Sequence, residues 1–221
     1  WMAGHDLSCV DELVAVNNAG GRYGGYGHVC QRGLDGTNSF IYGICHADTK
    51  FIGNALEVFR DVAAVGNVTG MVGRTLDGAY HWSKSGMTHS PSCLDGCAIF
   101  FRRDSGLKFD WQRFDGFHCV GEDVALAARM RGIPLVIPHC DAEHTSSSNF
   151  PPGGDHSVGH APWLKDYYRY VRRWEKTYDR HKIFNPALRA PMVVFTAIYP
   201  VGKLVRQQHL KAMEKEGVDG V

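Results

Sequence analysis

The sequence has almost no net charge and no apolar run long enough to cross a membrane. Lys and Arg number 24 against 23 Asp and Glu, which leaves a formal charge of +1 at pH 7. No strong global field therefore attracts nucleic acid or an anionic membrane. The longest apolar stretch, 192–205, is shorter than the roughly 18–20 residues of a span and contains Pro200 and Gly202. We expect a buried helix there, with contact to a membrane as the open alternative.

The sequence also lacks paired cysteines and several well-known catalytic motifs. Its seven cysteines are scattered and include no C-x-x-C pair, which argues against a disulfide framework and favours a cytoplasmic location. There is no P-loop, no G-x-S-x-G and no H-E-x-x-H. Nucleotide binding through a P-loop, a nucleophilic serine elbow and a zincin site are thereby excluded.

What is present is typical of a globular protein rich in turns. Apolar residues make up 44% of the chain and charged residues 21%, which excludes wholesale disorder. Glycine contributes 26 of the 221 residues, well above the average of about 7%. A chain of this length buries enough surface to hold a core without disulfides or metals.

Short strand-like and helix-like segments alternate along the first 140 residues. The predicted strands cover residues 12–16, 40–45, 65–72, 97–102 and 135–137, and the predicted helices cover residues 54–63 and 123–130. This alternation predicts an α/β fold with a mostly parallel central sheet flanked by helices.

The character of the chain changes after this region. Residues 146–162 are polar and rich in Pro and Gly, which predicts a lid-like loop that a ligand orders. Residues 163–178 form an aromatic, basic, helix-like segment. We therefore expect a catalytic domain over 1–162 and a helical C-terminal extension, 163–221, packed on it. In this extension Tyr170 and Trp174 are predicted packing residues, while Arg173 suits either a phosphate or a solvated face.

Three polar sets follow predicted strands or open a predicted helix. His46-x-Asp48 would place an imidazole and a carboxylate on the same side of an extended segment, which is half of a divalent-metal site. Glu122 and Asp123 open a helix, where its dipole stabilises carboxylates, either for catalysis or simply as capping residues. His144 follows the last predicted strand. It could also belong to a small zinc set with His139 and Cys140.

The order of these sets carries a family resemblance. HADTKF at 46–51, LDGCAIFFRRD at 94–104 and FDGFHCVGEDVALAARMRG at 114–132 follow one another. Together they resemble the GT-A-type inverting glycosyltransferases of family 2, over roughly residues 12–147. The most specific part is 114–132, where the Glu-Asp pair opens the helix.

The resemblance implies a role for each matching residue. Asp48, His46 and His144 would hold a divalent metal, Mn²⁺ or Mg²⁺, that bridges the diphosphate of a nucleotide-sugar. Asp123 would be the general base and Glu122 would orient the acceptor. The residues implied to bind donor or acceptor are Asp95, Gly96 and Arg129, with Asn17 or Asn18 at the nucleoside.

The sequence departs from the family pattern in two places. His46 stands where the family usually has an acid, and a mixed nitrogen and oxygen ligand set favours a borderline ion such as manganese. The strand and helix that precede the 12–16 run in the family are not seen here. We therefore expect either residues before Trp1 or a different hold on the nucleoside, with uridine favoured as its base.

The sequence thus predicts a metal-dependent inverting transferase that uses a nucleotide-sugar donor and a glycan or lipid-linked acceptor. Two alternatives stay open. A nucleotidyltransferase on a related sheet would release pyrophosphate, and a non-catalytic sugar-binding module would bind glycans without turnover.

Overall fold

The computed structural model describes residues 7–15, 25–46, 48–74, 80–114, 119–144, 169–170 and 173–174. The helices among them are α1 (Tyr26–Gly36), α2 (Ala55–Ala64) and α3 (Val120–Met130). The strands are β1 (Ile41–Cys45), β2 (Thr49–Phe51), β3 (Val68–Gly70), β4 (Val72–Arg74), β5 (Tyr80–Trp82), β6 (Cys93–Leu94), β7 (Ala98–Arg102), β8 (Leu135–Val136) and β9 (Ala142–His144). Residues 169–170 and 173–174 are helical.

The described strands form one four-stranded sheet and two smaller ones. The larger sheet has the order β1-β7-β3-β8, a three-stranded sheet has the order β5-β4-β6, and β2 pairs with β9. In the larger sheet β7 runs antiparallel to both of its neighbours, and only β3 and β8 pair in parallel. The α/β class is confirmed. The mostly parallel sheet is not confirmed, because β7 is inserted between strands that run the other way.

The larger sheet has helices on both faces, as the alternation along β7 demonstrates. Ile99 and Phe101 belong to one buried cluster together with residues of α1 and α3. Ala98 and Phe100 belong to a second cluster that contains the buried side of α2. Since successive side chains of a strand point to opposite faces, the two clusters lie on either side of the sheet. A strand buried on both faces is apolar throughout, which explains the unbroken run AIFF.

The start of α3 is fixed by a contact between two glycines. A Cβ placed on Gly121 would lie 2.3 Å from the Cα of Gly96, so only glycine permits the helix to approach the turn before β7 this closely. Cys119, just before the helix, has φ of 62°, a left-handed conformation that is uncommon outside glycine. The first turn of α3 is therefore held in one place relative to residues 95–97.

Most predicted elements are present with shifted ends, and one is wrong. Residues 12–15 of the predicted 12–16 strand have no regular structure, and Leu13 and Val14 are 43% and 47% exposed. Apolar residues favour a strand only when a neighbouring strand packs against them, and the described part of the chain supplies none. The predicted 65–72 strand is divided at Met71, where the chain leaves the larger sheet for the three-stranded one.

Helix α1 was not predicted. It contains Gly27, Gly33 and Gly36, and glycine is a weak helix former. Two of these glycines permit close packing: a Cβ on Gly27 would lie 3.2 Å from a main-chain oxygen, and one on Gly33 would lie 2.8 Å from the hydroxyl of Tyr42. Tertiary packing therefore outweighs local propensity here.

Several predictions lie outside the described residues. These are Asn17 and Asn18, the lid at 146–162, the apolar stretch 192–205, and most of the extension 163–221. No helix in the described ranges has the length and apolar character that crossing a membrane requires.

We predict that Gly121→Ala destabilises the protein, because its methyl group would overlap the backbone of Gly96. The expected loss in the free energy of unfolding is roughly 1–3 kcal/mol or more, measured by chemical denaturation. Gly36→Ala is the matched control, since a Cβ there meets nothing within 4 Å and alanine is the better helix former. Equal stability of the two variants would contradict the close contact.

Candidate functional site

Two groups of polar side chains lie on either side of the turn formed by residues 95–97. On one side, the Cys97 carbonyl accepts hydrogen bonds from the His46 N–H at 2.9 Å and from the Thr49 hydroxyl at 3.1 Å. On the other side, Gly96 contacts Gly121 at the start of α3. The Asp95 carboxylate accepts the N–H of Cys97 at 3.0 Å and so closes the turn. This turn connects the two halves of the candidate site.

The first group consists of His46, Asp48 and His144. The antiparallel pairing of β2 with β9 sets Thr49 opposite His144, which brings a residue from the end of β9 next to Asp48. A hydrogen bond from the Thr49 N–H to the His46 carbonyl, 3.0 Å long, closes the chain between β1 and β2. His46 and Asp48 therefore converge through a turn, whereas the sequence predicted convergence along an extended segment.

The geometry of this group suits a metal ion. Nε2 of His144 lies 3.2 Å from Nδ1 of His46 and 3.2 Å from Oδ1 of Asp48. Three potential ligand atoms, one from each residue, all lie within 4.8 Å of one another. Neighbouring ligands about 2.1 Å from a six-coordinate ion are roughly 3.0 Å apart. The cluster could therefore hold a metal ion, as the family resemblance implied.

The surroundings of the cluster leave it partly open to solvent. The His144 side chain is 17% exposed and that of Asp48 is 33% exposed, so the site is reachable but partly dry. The ring of Tyr26, at the start of α1, meets the His46 ring edge-on with centroids 5.2 Å apart. Among the described residues this is the one cluster of three potential ligands. It contains neither His139 nor Cys140, which does not support the zinc alternative.

The second group surrounds Asp123, which is 2% exposed. The Trp174 indole N–H donates to Oδ1 at 2.8 Å, and Nη1 of Arg173 donates to Oδ2 at 3.0 Å. The same Arg173 nitrogen lies 2.5 Å from Oδ2 of Asp110. Burial raises the pKa of Asp123 to about 6, against the opposing effect of the Arg173 charge. The carboxylate is ionised at neutral pH and still basic enough to accept a proton.

Glu122 lies next to Asp123 in a setting that disfavours its charge. Burial, and then the nearby Asp95 carboxylate, raise the pKa of Glu122 well above its ordinary value of 4.5. Glu122, Asp95 and Arg74 line one narrow crevice that is too small to hold a water molecule. Two neighbouring carboxylates that are shielded from water do not readily ionise together. Glu122 therefore stays protonated to a higher pH than an exposed glutamate does.

The remaining predicted site residues have structural partners. Nη1 of Arg129 donates to the Ser92 carbonyl at 2.7 Å, which anchors the segment before β6. Asp95 and Gly96 form the central turn. The predicted roles of all three in donor or acceptor binding stay predictions, and Asn17 and Asn18 lie outside the described residues.

The sequence did not predict the contacts of Arg173 and Trp174 with Asp123. Tyr170 and Trp174 are 0% and 4% exposed, so their prediction as packing residues is confirmed. The solvated face is wrong for Arg173, whose side chain is 25% exposed and joins two carboxylates. The available signal was the Arg173-Trp174 pair within an aromatic segment. Nothing in the sequence indicates that the partner of Arg173 is Asp123, 50 residues away.

We predict that manganese binding depends on the first group. His144→Ala and Asp48→Asn should each weaken Mn²⁺ binding at least tenfold, because the first removes a ring nitrogen and the second removes the negative charge of the carboxylate. Titration followed by electron paramagnetic resonance measures the free ion. His28→Ala, which changes a ring stacked on Trp111, is the control and should bind like wild type. Unaltered binding in both ligand variants would exclude this cluster as the metal site.

We predict that Glu122→Gln stabilises the protein increasingly as pH rises. A group whose pKa is raised by folding binds its proton more readily in the folded state, so its contribution declines as pH increases above 4.5. We expect little difference near pH 5 and a gain of roughly 1–3 kcal/mol near pH 8.5, measured by chemical denaturation. Glu143→Gln should give no gain, since Lys84 lowers the pKa of Glu143. A pH-independent difference for Glu122→Gln would contradict the prediction.

Comparison with models of known protein families and with curated proteins finds no match to either. The family resemblance of the three motifs therefore stays a prediction. The cluster of His46, Asp48 and His144, together with the buried Asp123, is the basis for a functional proposal.

Proposed function

We propose that this chain is a metal-dependent inverting glycosyltransferase. It would move a sugar from a nucleotide-sugar, with UDP-sugars favoured, to a hydroxyl of a glycan or lipid-linked acceptor. The observation that carries the proposal is the arrangement around residues 95–97. The cluster of His46, Asp48 and His144 lies on one side of this turn. The buried carboxylate of Asp123, whose pKa suits a general base, lies on the other side.

The donor set supports a divalent ion at the first group. Ring nitrogens of His46 and His144 lie 3.2 Å apart. This distance suits either an N–H that one ring donates to the other or a cation that both rings bind. Asp48 adds a carboxylate, and a set of two nitrogens and one oxygen suits Mn²⁺ more than Ca²⁺. When bound, such an ion supplies Lewis-acid stabilisation of the charge on a leaving diphosphate.

Asp123 is suited to the role of general base. The acceptor hydroxyl oxygen forms a bond to the anomeric carbon while the bond from that carbon to the diphosphate oxygen breaks. The electron pair leaves with the nucleoside diphosphate, and Asp123 receives the hydroxyl proton. A base on one side and a leaving group on the other give in-line displacement, which inverts the anomeric centre. A positioned base of this kind contributes on the order of 10²–10⁴-fold.

Glu122 and Asp110 would serve the acceptor. A protonated Glu122 can donate a hydrogen bond to an acceptor oxygen, which an ionised carboxylate cannot. Asp110 lines an open cavity of about 310 Å³ with Gln112, Arg113 and Arg169, and Arg173 links Asp110 to Asp123. This cavity is large enough for a sugar residue, and we propose it as the approach of the acceptor.

The test is a screen of nucleoside diphosphates and nucleotide-sugars by thermal shift, each with and without Mn²⁺. A ligand at 100 times its dissociation constant stabilises by about 2.7 kcal/mol. We expect a metal-dependent shift with one nucleotide class. It should be lost in His144→Ala and kept in Asp123→Asn and in the His28→Ala control.

Transfer is then measured with the donor found in the screen. Asp123→Asn should lower the rate by at least about 10²-fold while donor binding is kept. Wild-type transfer in this variant would remove Asp123 from the role of base. Release of pyrophosphate in place of a nucleoside diphosphate would favour a nucleotidyltransferase, and glycan binding without turnover would favour a sugar-binding module.

A further inference from the structure

The carboxylate of Asp123 has a different donor on each oxygen, and both donors come from the C-terminal extension. The Trp174 indole N–H meets Oδ1 at 2.8 Å, and the Arg173 guanidinium meets Oδ2 at 3.0 Å. Neither group can accept a hydrogen bond. The arrangement therefore suits a carboxylate and disfavours a protonated acid, whose O–H would face a donor.

The two donors are themselves fixed. Trp174 is 4% exposed, and the Arg173 guanidinium carbon lies 4.9 Å from the centroid of the Trp174 ring. A cation over an indole ring is an attractive contact. These contacts restrict the rotamers that the Arg173 side chain can adopt. Arg173 and Trp174 together form a clamp on the Asp123 carboxylate.

Asp110 competes for one of these donors. Its Oδ2 lies 2.5 Å from the Arg173 nitrogen that also contacts Asp123. Asp110 has a second cationic neighbour in Arg113, at 3.6 Å. Two carboxylates therefore share Arg173, and the share that each receives depends on the other.

We propose that Arg173 and Trp174 are positioning residues that hold Asp123 in a single orientation, and that Asp110 adjusts their effect by sharing Arg173. The proposal rests on the proposed function only in so far as Asp123 is the base of a transfer reaction. The clamp itself is a property of the folded chain and can be measured without donor or acceptor.

The charges around Asp123 predict opposite shifts of its pKa when either of its two charged neighbours, Arg173 or Asp110, is removed. Among the described residues, the Arg173 and Arg113 charges and the Trp174 hydrogen bond lower the pKa of Asp123, while burial and the Asp110 charge raise it. Glu122 is its neighbour on α3. Removing Arg173 must therefore raise the pKa of Asp123, and removing Asp110 must lower it. These opposite shifts follow from the charges themselves, whereas a role in positioning the base appears in the dependence of kcat on pH.

The experiment follows the Trp174 indole N–H by proton–nitrogen NMR in the full chain between about pH 4 and pH 8. Because this N–H donates to Asp123, its chemical shift reports the titration of that carboxylate. The sequence has five tryptophans, and loss of one signal in Trp174→Phe assigns the resonance. The variants are Arg173→Gln, Arg173→Lys and Asp110→Asn. Asp104→Asn, which removes the partner of Arg102, is the control.

We expect a wild-type midpoint near pH 6, a higher one in Arg173→Gln and a lower one in Asp110→Asn. Arg173→Lys should return toward wild type, and Asp104→Asn should match it. A wild-type midpoint in a folded Arg173→Gln would overturn the proposal. Were that variant to unfold, Asp110→Asn decides alone, and an unchanged or raised midpoint there has the same consequence.

An activity arm separates this proposal from the proposed function. With a donor in hand, the acidic limb of kcat against pH should move in the same direction as each NMR midpoint, with the donor KM unchanged. If the NMR midpoints shift in opposite directions but no variant transfers sugar, the clamp is supported and the transferase proposal is rejected. If transfer occurs and the midpoints do not shift, the transferase proposal is supported and the clamp is rejected.

Discussion

The contact between Gly96 and Gly121 is the constraint on which the candidate site depends. It brings the first turn of α3 against the backbone of the 95–97 turn, at a distance that a single methyl group would prevent. The next residue of that turn, Cys97, holds His46 and Thr49 through its carbonyl. A small displacement of α3 would thus change the spacing between its acidic first turn and the cluster of His46, Asp48 and His144.

The two groups of the candidate site differ in their degree of burial. The cluster of His46, Asp48 and His144 keeps partial access to solvent, so an ion could reach it. Around Asp123 and Glu122, exclusion of water makes both carboxylates more basic than usual, and arginine and indole donors keep Asp123 from losing its charge altogether. Neighbouring acids on one helix turn thus titrate in different pH ranges.

Local pattern was sufficient for elements whose burial is visible in the sequence. The apolar run of β7 and the helical spacing of α2 both predicted the right structure. That His46, Asp48 and His144 meet, although 98 positions separate the first from the last, was implied by the family resemblance and not by local pattern. The direction of β7 was not predictable, because alternation reports which faces are buried and carries no information on which neighbour a strand pairs with. The same limit applies to Arg173, since its contacts arise only when residues 173–174 pack against α3.

The enclosure of Asp123 has a consequence for what can reach it. Its side chain is 3% exposed, and each carboxylate oxygen already accepts a hydrogen bond from Trp174 or Arg173. Any hydroxyl that is to give a proton to Asp123, whether of a sugar or of water, must therefore displace one of these donors or approach the carboxylate beside it. The two side chains that hold the carboxylate thus also restrict access to it.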